Sequence, residues 1–145
     1  MKRNLELVRQ MIEAINRQDF DALDMLVAGD VRRHSAATPD VDVRNLEEFK
    51  AFLRRDLSAV PDATQEIEMI FGERDKVAVR AIFRGTQAGP MGPFPPSGRR
   101  VAVPFLAIVR IREEKIAEIW VEWDNVAVLT QLGHLASPGV PAGAP

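Results

Sequence analysis

The chain contains no cysteine, which excludes disulfides, thiolate nucleophiles and cysteine-ligated zinc or iron–sulfur centres. Only two histidines are present, His34 and His134. They lie far apart in sequence and form no metal-ligand cluster of the usual spacing, so no metal and no cofactor is expected. No Gly-x-Ser-x-Gly elbow surrounds any serine, and the glycine-rich stretch Gly85 to Gly98 lacks the Gly-Lys-Ser/Thr ending of a phosphate loop. Long apolar runs are missing as well: the longest, Val101 to Val109, falls well short of the roughly 18 residues of a membrane span. The N-terminus alternates charged with apolar residues instead of presenting the uninterrupted apolar stretch of a secretory signal, and the expected location is cytoplasmic. Charge of one sign is scarce too. The formal net charge is -2, and Arg54-Arg55 and Arg99-Arg100 are isolated pairs rather than a basic stripe. Neither nucleic acid nor a membrane surface is an expected partner.

What is present is ordinary globular balance: 46% hydrophobic and 28% charged residues over 145 positions, enough for one core without covalent staples. Leu5, Val8, Ile12 and Ile15 recur at helical spacing and predict an amphipathic helix over about residues 4 to 17. A shorter helix, with Phe20, Leu23, Leu26 and Val27 on one side, should stop at Gly29. Asp30 to His34 reads as a short extended segment and Ser35 to Arg44 as a loop. Asn45 is a good N-cap with Glu48 three residues on, opening a third helix that carries Leu46, Phe49, Leu53, Leu57 and Val60 and ends before Pro61.

From Thr64 the period drops to two. Ile67, Met69 and Phe71 alternate with Glu66 and Glu68, and Val77, Val79, Ala81 and Phe83 with Arg80 and Arg84, a hairpin turning at Gly72 to Asp75. The segment Gly85 to Gly98 holds four glycines and four prolines, a long connection suited to a rim or lid. Strands Val101 to Arg112 and Lys115 to Trp123 follow, turning at Glu113-Glu114, and a short helix from Asn125 ends at Gly133. Helices first and a strand meander afterwards predict an α+β domain over residues 1–134, with helices on one face of a curved antiparallel sheet. Residues 135–145, small and proline-rich, form a tail that should not pack.

The densest chemical constellation is Glu118 to Asp124, where strand alternation sets Glu118, Trp120, Glu122 and Asp124 on one face and Ile119, Val121 and Trp123 on the other. Patterning alone would bury the second set and leave the acids in water. Asp124 also directly precedes the last helix and is placed to cap it. Alternatively, a desolvated Asp124 walled by Trp120 would have its pKa raised toward neutrality and pass protons. His34 is either a hydrogen-bonded structural residue or a partner in that chemistry. His134, just past a helix C-terminus, is accounted for by the helix dipole.

Gly85-Thr86-Gln87-Ala88-Gly89, Pro95-Pro96-Ser97-Gly98-Arg99-Arg100-Val101, Lys115-Ile116-Ala117-Glu118-Ile119-Trp120, Trp123-Asp124 and Leu129-Thr130-Gln131-Leu132-Gly133 together resemble the SnoaL-like polyketide cyclases. The opening helix with Asn16 ahead of Asp19-Phe20-Asp21-Ala22-Leu23, and His34 after it, extends the resemblance over about residues 5 to 133. It implies the nuclear-transport-factor-two-like, ketosteroid-isomerase-like cone, in which three helices cover the concave face of a bent sheet around an apolar pocket. On that implication Trp120, Glu122 and Asp124 look into the pocket, while Ile119, Val121 and Trp123 meet a second subunit in a homodimer joined through the outer sheet face. The resemblance further implies cofactor-independent acid/base chemistry on a small hydrophobic or polyketide-like molecule. Asp124 would be the proton shuttle, His34 its partner, and Trp120, Glu122, Phe105 and Asn16 the substrate contacts. Two departures stand out: Val101 to Arg112 has no histidine and Ser97 replaces the usual threonine, so isomerisation, dehydration or epoxide opening join aldol closure as expected reactions. The other readings are a non-catalytic ligand binder on the same pocket, and a dimeric scaffold whose pocket is filled by Phe83, Phe105 and Met69.

Overall fold

A computed structural model of the chain describes residues 1–136. Beyond Ala136 the expected unpacked tail lies outside the described residues. The element order is α1 (Lys2–Asn16), α2 (Leu23–Leu26), β1 (Val27–His34), α3 (Leu46–Ala59), β2 (Thr64–Glu73), β3 (Lys76–Thr86), β4 (Arg100–Arg112), β5 (Lys115–Trp123) and α4 (Asn125–Gln131). The five strands form one sheet in the order β1-β5-β4-β3-β2, antiparallel throughout except where β1 runs parallel to β5. This is the α+β architecture that the periodicities predict. No helix among the described residues is long and apolar enough to cross a membrane.

Local chemistry sets the elements. In α3 the Asn45 side chain accepts from Glu48 N at 2.8 Å, while the Glu48 carboxylate accepts from Arg44 N, so the cap is shifted by one residue from a true capping box. The turn between β4 and β5 places both Glu113 and Glu114 at positive φ, the geometry that lets a two-residue hairpin follow strand twist. α2 is only one turn long, because from Val27 onward the chain enters β1 instead of continuing the helix to Gly29.

Three facing rows of the sheet point inward: Val77–Val109–Ile119, Val79–Ala107–Val121 and Ala81–Phe105–Trp123. Apart from Ala107 and Trp123, these residues pack with α1 and α3 in the principal core. On β2 a bulge between Ile67 and Met69 reverses the pleat. The expected alternation therefore breaks: Ile67 and Ile70 face the core, whereas Met69 and Phe71 are more than half exposed on the outer face.

The Gly85 to Gly98 connection is pinned. Gln87 is fully buried, and its amide donates to the carbonyls of Gly89, Phe94 and Pro95 while its Oε1 accepts from His134 Nε2 at 2.7 Å. His134 thus holds the loop, a role beyond the helix dipole. Gly89 lies so close to Ser58 O that a side chain there would collide with backbone. Gln131 bonds both backbone groups of Ala102 and fastens α4 to β4.

Candidate functional site

Between the inward face of the sheet and the helices lies a cavity of about 200 Å³. An apolar hollow of about 150 Å³ is enough to hold benzene, so this one admits a compact ring system. Its walls are apolar: Val8, Met11 and Ile12 of α1, Phe49, Phe52 and Leu53 of α3, and Val103, Phe105, Val121 and Trp123 of the sheet. Met91 of the pinned loop, Val128 of α4 and Leu132 at its C-cap close it. Phe83 and Phe105 line the space without filling it, and Met69 lies outside it.

Three polar side chains break this lining: Asp56, Arg33 and Gln65. Asp56 continues the stripe Phe49, Leu53, Asp56, Val60, whose 4-3-4 spacing keeps one face of α3 toward the sheet. Asp56 is an exposed residue by its overall surface, and part of that surface lines the cavity and meets the contents of the hollow. Desolvation consequently raises its carboxyl from 3.8 to about 6, against the pull of Arg33 and then Arg55.

Arg33 enters from β1, where alternation turns it to the same side as Val31. Only 7% of it is exposed. Its guanidinium lies 4.0 Å from the centroid of the Phe52 ring and 5.7 Å from that of Trp123, and Nη1 donates to Thr38 Oγ1 at 3.0 Å. Burial lowers its pKa from the ordinary value while Asp56 opposes the shift; an arginine so placed remains a cation. Gln65 is set by Asn16, whose amide donates to Gln65 O at 2.9 Å and accepts from Gln65 N at 2.8 Å. That clamp leaves the Gln65 side chain in the cavity wall.

The outer face gathers most of the residues expected at the site. Trp120, Glu122 and Asp124 do not line the cavity; Ile119, Val121 and Trp123 do. The expected orientation of β5 is therefore corrected: pleat alternation in register with β4 turns the apolar set inward, as patterning alone would have it. Asp124 is exposed, and its carboxylate caps α4 by accepting from Ala127 N at 3.1 Å. Glu122 is likewise exposed and accepts from Ala36 N. His34 stacks on Trp120 with ring centroids 5.5 Å apart and bonds Glu118 at 2.6 Å. Glu118 also accepts from Arg110, and its carboxyl is held below its ordinary value by His34 first and then, against partial burial, by Arg110. Asn16 is a backbone clamp instead of a lining residue. Of the six expected site residues, only Phe105 lies in the cavity wall. Among the described residues no three His, Asp or Glu side chains cluster as metal ligands would.

A titratable carboxylate, a buried cation and a free amide around one apolar hollow can exchange a proton with a bound molecule and face the charge that develops on it. Comparison with known proteins bears on which molecules these are. The family model for SnoaL-like polyketide cyclases matches residues 5–132. Among solved structures, TsrD from Streptomyces laurentii is 32% identical, with a TM-score of 0.80 over 90% of this chain and 94% of that one. IdmH from Streptomyces antibioticus, provisionally described as a polyketide cyclase, is 30% identical with a TM-score of 0.80, over 90% of this chain and 98% of its own. AclR from Streptomyces galilaeus, provisionally described as a hydroxylase, is 28% identical with a TM-score of 0.81, over 97% and 86%. No curated protein matches the chain.

Two stability measurements check these placements. Asp124→Ala should lower unfolding stability in denaturant by about 1 kcal/mol through loss of the cap. The Asp56 carboxyl, at about 6 when folded and near 3.9 when unfolded, keeps its proton longer in the folded chain. Its contribution to stability is therefore fully present below the lower value and is lost as pH rises through the upper one. Asp56→Asn should raise the thermal midpoint relative to wild type above about pH 6, with the gain vanishing toward the unfolded value.

Proposed function

The chain belongs to the SnoaL-like polyketide cyclase family, and on that premise we propose that it catalyses cofactor-independent proton transfer on a compact, largely apolar carbonyl compound held in the cavity, with Asp56 as the shuttle. The observation that carries this reading is the placement of the Asp56 carboxyl, with Arg33 and Gln65, on the wall of an otherwise apolar cavity, where desolvation raises that carboxyl to about 6. A base of that strength is largely ionised at neutral pH, yet strong enough to share a proton with an acidic C–H.

The ionised Asp56 takes a proton from the carbon next to a carbonyl, and the electron pair moves onto the carbonyl oxygen as an enolate. Arg33 and Gln65 face that oxygen. The enolate carbon then either attacks a second carbonyl of the same molecule, whose alkoxide recovers the proton from Asp56, or is reprotonated by Asp56 at another position. The first outcome is an aldol-type cyclisation and the second an isomerisation; in both Asp56 ends as it began. Phe105 serves as a wall for the substrate. A scaffold with its pocket filled by its own side chains is disfavoured by the open volume that Phe83 and Phe105 help to line.

Pairing of two copies through the outer sheet face is part of the same reading. Leu106 and Phe71 are each 59% exposed there, with Met69 and Ile108 beside them, and ion pairs of Arg80 with Glu68, Arg84 with Glu66 and Arg110 with Glu118 run through the face. Exposed apolar side chains interspersed with such ion pairs make the kind of surface that a second copy covers. Ile119, Val121 and Trp123, earlier expected at that interface, have no part in it, since they line the cavity.

Exchange of the α-hydrogens of 2-tetralone for deuterium, followed by NMR in heavy water, tests the chemistry. Wild type should accelerate the exchange with a rate that rises with pH through about 6, as Asp56 ionises. Asp56→Asn should lose about 10²- to 10⁴-fold while Asp124→Asn stays near wild type; the reverse order would return the reaction to Asp124. Leu106→Glu should convert a dimer to a monomer in sedimentation without altering exchange within one subunit.

A further inference from the structure

Arg33 has more hydrogen-bonding capacity than the protein uses. Its guanidinium makes one side-chain bond, from Nη1 to Thr38 Oγ1. Among the described residues no carboxylate oxygen comes within the 4.0 Å of an ion pair. Among the described residues Nε and Nη2 find no acceptor, yet the only fully enclosed side-chain polar atom there without a partner is Thr130 Oγ1. Those two nitrogens therefore reach open space, and Arg33 lines the cavity. A cation that is 7% exposed and carries unspent donors is costly unless something else accepts from it. The charges acting on it are Asp56 and Arg55 from α3 and Glu122 from β5. Glu122 is already engaged by Ala36 N on the exposed side, and Asp56 is close enough to attract Arg33 without bonding to it.

We infer that the cavity binds its ligand through an oxyanion, a phenolate, enolate or carboxylate oxygen seated on the free N–H groups of Arg33, and prefers the ionised form of a molecule to its neutral form. This rests on the cavity being the reaction site proposed above, and it narrows the substrate class to compact apolar molecules with an acidic hydroxyl or acid group. A planar guanidinium fork suits such an oxygen, and charge-assisted bonds to it are the stronger kind. Aromatic faces on Phe52 and Trp123 keep the fork in place. Asp56 sets the limit on this preference, because an ionised Asp56 repels the oxyanion and a proton held between the two removes the repulsion.

The test uses 4-nitrophenol, whose ionised form absorbs at longer wavelength than the neutral form, beside its methyl ether 4-nitroanisole and the carboxylate 4-nitrobenzoate. On wild type, bound nitrophenol should be more ionised than in buffer of the same pH and should bind about ten- to a hundredfold more tightly than nitroanisole. Arg33→Gln should abolish both the spectral shift and the preference while nitroanisole still binds, which also demonstrates that the cavity is intact. Asp56→Asn, with Arg33 untouched, should strengthen the shift. Nitrobenzoate binding above nitrophenol would assign a carboxylic acid as the ligand, and the opposite order an enol or phenol; either supports the inference. Nitrophenol bound in its neutral colour, a shift that survives Arg33→Gln, or no binding of any probe would overturn it. Asp56-dependent exchange on 2-tetralone alongside neutral nitrophenol binding would retire the oxyanion inference alone; ionised binding without that exchange would retire the catalytic reading alone.

Discussion

Two opposite charges held near each other in an apolar hollow, but not bonded, determine what this cavity can do. Had Asp56 and Arg33 formed a direct pair, the carboxyl would sit below its ordinary pKa and the guanidinium would have spent its donors. Instead desolvation wins at Asp56 and raises it to about 6, and Arg33 spends its ring-facing surface on Phe52 and one N–H on Thr38. Each group is left half-satisfied toward the cavity. Burial of that kind costs stability, and such sites are where proteins concentrate function.

The sheet makes this possible by supplying nothing polar of its own. Every inward position of β3, β4 and β5 that lines the cavity is aliphatic or aromatic, so solvation inside the hollow depends on what α3, β1 and β2 contribute. Those elements contribute one charged or polar group each: Asp56, Arg33 and Gln65. On the opposite face the same strands carry the ion pairs and the exposed Leu106, Ile108, Met69 and Phe71. The two faces thus divide the work, one dry and chemically sparse, the other charged at intervals and still apolar enough to meet another surface.

Period and capping made most of the fold legible in the sequence. The stripe Leu5, Val8, Ile12, Ile15, the Asn45 cap and the alternations of β3 and β4 place their elements to within about two residues. The bulge at Ile67 to Met69 escaped, because one extra residue reverses a pleat without changing composition. The site was far less legible. Glu118 to Asp124 drew attention through its density of acids, and the family resemblance turned those acids inward, yet alternation alone already favoured Ile119, Val121 and Trp123 as the buried set. Asp56 carried little signal, because Leu57 already supplies the apolar position between Leu53 and Val60 and Asp56 beside it is exposed. Arg33 did carry one: it lies two residues beyond Val31 on the buried phase of its strand. A charged residue on the buried phase of an amphipathic element was a better pointer than a cluster of acids on the exposed phase.

The direct measurement is the titration of the Asp56 side-chain carboxyl, followed by its carbon-13 shift in the intact protein and assigned with Asp56→Asn. The account predicts a midpoint near 6, clearly apart from the other aspartates. A midpoint at the ordinary value near 3.9 would mean that the cavity does not strip solvent from this carboxylate, and would contradict its role in moving protons.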